Sequence, residues 1–408
     1  MTEQTFHTDA LERQDGSRAQ RLFFDVKQGR DLARTLRLDA YGSRAREIWI
    51  DAAKGIGIIL VVVAHALILD NQLDMLERFI YLFHMPLFFM LAGYLQSGKP
   101  VGEYNRNRAI SLLVPYLAFL AVLSLPLAAR SALAYDQGQV LPIDEFFANL
   151  WGGKHLTGIH GTFWFITCLL VAQVIFNVML TRWAVVSTPM IICVIGLGTL
   201  GYLLAAVGSD LPGNAGVAPM AIVFLWFGAF FRAIGLAPSS LFVWFGLSIV
   251  VLLLLVVSTG WAPSFDMKPE NYGVPIISII IAVGLSCGVF AIVQLISQFD
   301  LPSRVLAYFG SASLTIMYLH LAAFRVTGQF SDNTVLTIAV GLLLPLAVHQ
   351  AIGLSRTTRF LFSGSTGEHK RRPDPVKKSR EADVVRGQFP EPIEQYADWE
   401  PVTRRKAS

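Results

Sequence analysis

Long apolar runs constrain this chain more than any other feature of its sequence. Ten such runs follow one another, each close to the roughly 20 residues that a helix needs to cross a bilayer core of about 30 Å. They lie near 48–69, 79–96, 110–129, 162–181, 186–208, 217–234, 239–258, 274–297, 305–325 and 333–354. With 54% hydrophobic and 15% charged residues among its 408, the chain does not have the composition of a soluble protein. The sequence predicts an all-α, multi-pass integral membrane protein with about ten transmembrane helices, which we place in the cell (inner) membrane.

Basic residues at the two ends of the chain predict its orientation. Of the 33 Lys and Arg residues, nine precede Trp49 and twelve follow Leu354. Cytoplasmic segments near membrane spans carry an excess of Lys and Arg, and an even number of spans leaves both ends on one side. Both tails are therefore predicted to be cytoplasmic. The basic clusters are interpreted as topology signals and contacts to lipid headgroups, and no nucleic-acid partner is expected.

Composition divides the chain into three parts. Residues 1–47 form a basic cytoplasmic N-terminal segment, for which a surface-bound helix and a flexible tail are alternatives. Residues 48–354 form the transmembrane domain, and 355–408 are a basic tail too polar to bury a core, which we expect to be largely disordered. No cleavable signal peptide is expected, since the first apolar run has the length of a full span. The three cysteines lie in apolar runs without metal-ligand spacing, so we expect core thiols and no metal.

Ionisable residues in the first two spans are the main candidates for chemistry, because such side chains cost a few kcal/mol inside a bilayer. The first span contains Asp51, Lys54 and His65, and the second contains His84. At about 100° per residue the first three share one helix face, with Lys54 and His65 about 16 Å apart along the axis. His84 lies at a similar depth to His65, so the two imidazoles are predicted to meet. The alternatives are an interfacial ion pair for Asp51 and Lys54 and a structural role for the histidines.

Two further sets of residues are candidates for substrate binding. Trp164 in the fourth span and Ser313, Tyr318 and His320 in the ninth form the first set, although hydroxyl side chains also join helices to one another. The second set lies in the outer loops 130–161 and 259–273, where aromatic and carboxylate groups suit carbohydrate, with interfacial anchoring as the alternative. Its members are Asp144, Glu145, Trp151, Lys154, His155, His160, Trp261, Asp266, Asn271 and Tyr272.

Four sequence blocks resemble the membrane acyltransferase 3 family, especially its fucose 4-O-acetylase-like branch of sugar O-acetyltransferases. The blocks read IDAAKGIGIILVVVAHA, FHMPLFFMLAGYL, GTFWFITCLL and GSASLTIMYLH. In that family a basic residue and a histidine eleven positions later are functionally important, and Lys54 and His65 match this spacing. The basic position is commonly Arg, so Lys54 is a departure. The family also has a basic motif before the third span, where this chain has Arg106 and Arg108, two apart rather than three.

The resemblance implies transfer of an acetyl group from cytoplasmic acetyl-CoA to a hydroxyl of a cell-surface or exopolysaccharide sugar. His65 is expected to remove the acceptor proton, because imidazole titrates near neutral pH, while His84 orients it or donates to the developing oxyanion. Asp51 completes the candidate catalytic set by orienting Lys54. Acetyl-CoA is expected to bind Lys54, Arg106 and Arg108.

The expected partners are the sugar or polysaccharide acceptor, membrane lipids and polysaccharide assembly proteins. A transporter or flippase for a lipid-linked glycan or small solute is the alternative function, and a purely structural or sensory membrane subunit is a third. Within the enzyme class, a non-sugar acceptor and a longer acyl group stay open.

Overall fold

The computed structural model describes residues 48–68, 74–135, 151–234, 240–258 and 264–364. The predicted N-terminal segment, the tail beyond 364 and the loop residues Asp144, Glu145 and Trp261 lie outside these ranges.

Helices account for most of the described residues. They are α1 (Ile48–Ile68), α2 (Asp74–Tyr81), α3 (His84–Leu95), α4 (Val101–Tyr135), α5 (Trp164–Arg182), α6 (Thr188–Ala206), α7 (Ala218–Ala233), α8 (Ser240–Ser258), α9 (Ile277–Ile296), α10 (Asp300–Ser311), α11 (Ser313–Thr327), α12 (Thr334–Ile352) and α13 (Arg356–Ser363). Short 3-10 turns occupy Gly153–His155, Gly158–His160 and Pro212–Val217. The prediction of an all-α polytopic membrane protein is confirmed. A helix pairs its own backbone N–H and C=O groups, which is necessary because lipid offers them no hydrogen-bond partners.

Among the described residues, eight helices are long and apolar enough to cross a membrane, or nine if one bent pair counts as a single span. The predicted seventh run contains α8 (Ser240–Ser258), which is not among these eight. Ten spans therefore stays a prediction.

The ninth predicted span, 305–325, is wrong as a single helix. It is divided into α10 and α11, which meet at Ala312 with a bend of 72°. The residues around the bend are small, and a methyl group on Gly310 would overlap the carbonyl oxygen of Asp51. The hydroxyl of Ser311 donates to the carbonyl of Tyr308 at 2.7 Å. Close packing against α1 therefore directs the chain at this point.

The second predicted span corresponds to Met75–Leu95, one of the eight, and two turn residues, Leu82 and Phe83, separate α2 from α3 within it. Pro86 has no N–H to donate to the carbonyl of Leu82, so an α-helix cannot run through this point without losing a hydrogen bond. In the first turn of α3 the same proline is tolerated, because those N–H groups have no partner within the helix. The break makes His84 the first residue of α3.

Glycines let the central helices cross closely. A Cβ on Gly93 of α3 would overlap the backbone of Leu225, and one on Gly228 of α7 would overlap the backbone of Met90. Contacts between small residues of this kind are typical of helix packing in membranes. The apolar side chains of Ile192 and Ile195 on α6 are 63% and 64% exposed, as expected for a face turned to lipid.

The first part of the predicted tail, 355–408, is a helix rather than disordered chain. Ser355 caps α13 by accepting from the N–H of Thr357 at 3.3 Å, and Gly364 ends it with a φ of 62°. The ring of Phe362 lies 5.0 Å from that of Phe119 on α4. Apolar side chains in this short stretch thus attach it to the membrane domain.

Candidate active site

Two histidines from distant parts of the sequence meet within the bundle. Nδ1 of His65 lies 3.2 Å from Nε2 of His320, and the ring centroids are 5.1 Å apart. His65 comes from α1 and His320 from α11, directly beyond the bend at Ala312. The structure therefore places His320, predicted to bind substrate, against the proposed base.

The hydrogen-bond partners assign the proton positions of the neutral pair. Nδ1 of His320 lies 2.9 Å from the carbonyl oxygen of Ile316, which can only accept, so this nitrogen carries the proton. Nε2 of His320 then accepts, and Nδ1 of His65 must donate to it. The lone pair of His65 is left on Nε2, as a general base requires.

His65 and His320 differ in solvent exposure. His320 is 0% exposed, whereas His65 is half-buried. Only the first member of the pair therefore presents surface that a second molecule can reach, while the second is enclosed by protein. The arrangement is that of a partly buried imidazole held by a fully buried one.

The predicted contact between His65 and His84 is replaced by an arrangement through Tyr81. The Tyr81 ring centroid lies 6.1 Å from that of His65 and 4.8 Å from that of His84. Nδ1 of His84 lies 3.0 Å from the carbonyl oxygen of Ile80 and so carries its proton there. A neutral His84 has no second N–H, and its predicted role as an oxyanion donor is therefore not favoured by this geometry.

Three connecting segments, here called the clasp of loops, are joined by hydrogen bonds at the end of the bundle that contains His65. The ammonium of Lys154 donates to the carbonyl of Ser209 at 2.8 Å, and the hydroxyl of Ser209 donates to Glu270 at 2.8 Å. Lys268 donates to the carbonyl of Leu156 at 2.6 Å. Nε2 of His155 lies 2.8 Å from a carboxylate oxygen of Asp210. Lys154 and His155, predicted to bind carbohydrate, are thus engaged with residues of a neighbouring segment.

Two charged residues of the clasp of loops, Lys268 and Asp266, lie near α11 and near each other. A Cβ on Gly161 would lie 3.9 Å from Nζ of Lys268 and 3.3 Å from Cδ1 of Leu321, the neighbour of His320. Burial lowers the pKa of Lys268, with the opposing charge of Asp266 raising it less. Burial likewise raises the pKa of Asp266, against the hydrogen bond and charge of Lys268.

Asp51 and Lys54 form an ion pair at the opposite end of α1, with Nζ of Lys54 2.9 Å from Oδ1 of Asp51. This end also contains the start of α1 and the end of α3, since the rings of Trp49 and Tyr94 are 5.3 Å apart. Lys54 and His65 are separated by about 16 Å of helix. Asp51 therefore contacts Lys54, as expected, and lies far from the imidazoles.

A cavity of about 480 Å³ opens at the Lys54 end, beside the connection from α3 to α4. Gln96, Lys99, Glu103, Tyr104, Asn107 and Arg108 contribute to its wall. Nε of Arg108 donates to Oε1 of Gln173 at 2.8 Å, which holds the guanidinium in place. Arg106 is exposed and is not part of the wall, because two positions on a helix differ by about 200°. The structure separates the two arginines.

The remaining predicted residues lie around α11. Tyr318 is 0% exposed and packs between Phe119 and Phe163, with 4.6 Å between its ring centroid and each of theirs. Trp164 begins α5 and is buried beside this group, and Ser313 begins α11 half-buried. Tyr318 and His320 are two positions apart on one helix and contact different neighbours. Within the described residues, no cluster of three or more His, Cys, Asp or Glu side chains that could bind a metal occurs.

Sequence reasoning missed Tyr81, Lys268, the cavity residue Gln96 and its neighbour Gln173. Tyr81 lies three positions before His84, which was a usable signal, since such residues share a helix face. Lys268 lies in a loop, and its approach to α11 depends on the fold. Glutamine within an apolar run was the available signal for Gln96 and Gln173.

Comparison with known proteins identifies the family to which the chain is related. Residues 47–353 match the family model described as an acyltransferase domain. The nodulation protein NolL of Sinorhizobium fredii is 32% identical over 172 residues, covering 37% of this chain and 43% of that protein. NolL of Mesorhizobium japonicum is 32% identical over 151 residues, covering 34% and 38% of the two chains. The matches thus span less than half of these relatives, and no solved structure matches.

Proposed function

The chain belongs to the acyltransferase 3 family, and we propose from this premise that it transfers an acetyl group from acetyl-CoA to a sugar hydroxyl. It is a multi-pass membrane acyltransferase rather than a transporter. The proposed acceptor is a unit of a cell-surface or exopolysaccharide glycan. The proposed location is the cell (inner) membrane, with the Lys54 end facing the cytoplasm.

The contact between His65 and His320 is the observation that carries the chemistry. A hydroxyl attacking a thioester needs a base that is neutral near pH 7 and has an available lone pair. The buried partner leaves that lone pair on Nε2 of the accessible ring. His320 is thus a positioning residue in this proposal rather than a substrate contact.

In the proposed reaction, Nε2 of His65 accepts the proton of the acceptor hydroxyl as its oxygen attacks the thioester carbonyl carbon. The new C–O bond forms and the C–S bond breaks. The departing thiolate takes the proton from His65, which yields the O-acetyl ester and the free thiol and returns the ring to its neutral form. The ammonium of Lys268 places positive charge at the same end of the bundle, where negative charge develops on the carbonyl oxygen.

The donor is proposed to enter from the Lys54 end. Arg108 lies in the cavity wall and Lys99 beside it, and both suit the phosphates of the coenzyme. Lys54, paired with Asp51, lies on the same helix as His65 and nearer to this end. Arg106, exposed outside the cavity, is proposed to contribute only through its charge at the mouth.

The acceptor is proposed to approach from the His65 end, beneath the clasp of loops that includes Lys268. Trp164 lies beside α11 and Tyr318 within it, whereas Ser313 begins α11 at the bend that packs against Asp51. Tyr318 is enclosed by aromatic rings, so we propose that it supports α11 rather than binds sugar directly. Lipids and polysaccharide assembly proteins stay proposed partners.

The test is thiol release from acetyl-CoA by purified protein with an added acceptor glycan. His65→Ala is expected to remain folded in the membrane and to lose transfer. His349→Ala is the matched control, because it removes an imidazole that contacts Thr315 and belongs to none of the candidate sets. Transfer retained by His65→Ala would remove His65 from the mechanism. No thiol release from the wild-type protein would refute the proposed donor.

A further inference from the structure

One face of α4 forms part of the wall of the cavity at the Lys54 end. The cavity, of about 480 Å³, is lined on this side by Glu103, Tyr104, Asn107 and Arg108. Glu103 and Asn107 are four positions apart, as are Tyr104 and Arg108, so each pair shares a side of the helix. Glu103 and Asn107 are exposed, and Tyr104 and Arg108 are half-buried. A molecule in the cavity can therefore reach these side chains.

The guanidinium of Arg108 is held in an orientation that suits phosphate. Its Nε donates to Oε1 of Gln173 at 2.8 Å, and Gln173 is 0% exposed. This bond fixes one edge of the planar group and leaves both terminal nitrogens, which can donate to two oxygens of one phosphate. Lys99 adds a second positive charge to the wall. This part of the wall suits an anionic group.

Glu103 is not expected in such a wall, because a carboxylate repels phosphate. Among the described residues it forms no ion pair with the basic side chains around it. A site for phosphate alone gains nothing from this side chain. An ionised carboxylate only accepts hydrogen bonds, so Glu103 favours a ligand that carries a donor group beside its phosphate.

Asn107 and Tyr104 indicate what kind of group that is. The amide of Asn107 donates and accepts together, which complements the 6-amino group of adenine and the ring nitrogen beside it. Because the amino group has two N–H bonds, Glu103 can accept the second. The ring of Tyr104 offers a face on which a base can stack. These three side chains together match an adenine base.

The order of these residues along α4 fits a nucleotide. Glu103 and Arg108 are five positions apart, which is about 7.5 Å along the helix axis. The base contacts thus lie near the start of α4 and the phosphate contact lies further along it. A ribose separates the base of a nucleotide from its 5′-phosphate in the same way.

We propose that this face of α4 is an adenine site. Tyr104 stacks on the base, while Asn107 and Glu103 hydrogen-bond to its 6-amino edge. Arg108 binds the adjoining phosphate. This inference rests on the proposed function, because acetyl-CoA contains an adenine nucleotide, and it concerns that end of the donor only.

The experiment titrates the full-length protein in detergent by calorimetry with adenosine 3′,5′-bisphosphate and with its inosine counterpart, which has a 6-oxo group in place of the 6-amino group. Wild type is expected to bind the adenosine compound at least about tenfold more tightly, and Asn107→Leu to bind it about tenfold more weakly. Glu103→Gln is expected to bind the inosine compound more tightly than wild type does, because its amide can donate to the 6-oxo group. Gln298→Leu is the matched control, since it removes an exposed amide outside the cavity wall.

A pair of variants at Tyr104 tests the stacking contact. Tyr104→Leu is expected to weaken both compounds about tenfold, whereas Tyr104→Phe keeps the ring and is expected to leave both affinities unchanged. Equal weakening in the two variants would contradict stacking and overturn the site as proposed.

Three further outcomes separate this site from other possibilities. Equal affinity of wild type for the two compounds, or a preference for a guanosine counterpart, would overturn the adenine site while CoA still binds. Nucleotide binding that disappears when phosphatidylethanolamine is added would show that a lipid headgroup occupies the cavity, and would also overturn it. Failure of wild type to bind CoA would instead overturn the proposed function, and the adenine site with it.

Discussion

Nδ1 of His65 and Nε2 of His320 lie 3.2 Å apart although 255 positions separate the two residues. The contact depends on the bend at Ala312, beyond which α11 carries His320 to α1. A hydrogen bond to a buried neutral imidazole selects one tautomer of its partner. The base and its orientation therefore come from opposite ends of the membrane domain.

The first prediction concerns His320 as a positioning residue. His320→Ala removes the acceptor for Nδ1 of His65 and is expected to lower kcat about 10- to 100-fold, with little change in the KM for acetyl-CoA. His320→Gln is expected to recover most of the activity, because its amide oxygen can also accept from His65. Steady-state kinetics of both variants provide the measurement. Equal losses in the two variants would argue for a different role.

The second prediction separates the two arginines. Arg108→Ala removes a side chain of the cavity wall and is expected to raise the KM for acetyl-CoA about tenfold or more, as expected for a hydrogen bond to a charged group of about 1.5–3 kcal/mol. Arg106→Ala is expected to have the smaller effect and to depend more strongly on salt, because an exposed charge is screened. Donor titrations at low and high salt measure both. A larger effect of Arg106→Ala would contradict the proposed placement.

The third prediction concerns the contact of α10 with α1. Gly310→Ala would place a methyl group against the carbonyl of Asp51 and is expected to destabilise the protein by about 1–3 kcal/mol, as overpacking does. Gly196→Ala is the matched control, since no atom lies within 4 Å of its added Cβ on a helix. That change is expected to be neutral or to add up to about 1 kcal/mol. Thermal unfolding in detergent measures both, and an unaffected Gly310→Ala would disprove the close crossing.

The fourth prediction concerns pH and the loop residue Asp266. Burial raises the pKa of this carboxyl above its usual 3.8, so its ionised form costs stability in the folded protein. The stability from this group is therefore fully present below pH 3.8, is lost as pH rises from there through the folded pKa, and does not change further above it. Asp266→Asn keeps the oxygen that accepts from the N–H of Lys268 at 3.1 Å and is expected to raise the melting temperature at pH 7.

The control for this prediction is Asp300→Asn, since Asp300 lies on the exposed side of α10. The difference between wild type and Asp266→Asn should shrink as the carboxyl becomes protonated. A difference that is independent of pH would show that the cost does not come from its charge.

Several features followed from local sequence alone. Apolar runs of spanning length determined the helical membrane architecture, because lipid allows few other ways to pair the backbone. Helical spacing placed Asp51 and Lys54 one turn apart, and the structure joins them at 2.9 Å. The two-residue spacing of Arg106 and Arg108 also indicated that they do not share a helix face. In the structure Arg108 lines the cavity and Arg106 does not.

Contacts between distant segments were decided by tertiary structure. No local pattern shows that His320 meets His65, that Tyr81 lies between His65 and His84, or that Lys268 approaches α11. These contacts depend on the packing of helices through small residues and on the 72° bend at Ala312, which changes the direction of the chain. Periodicity reports which residues share a face of one helix, whereas only packing determines what that face meets.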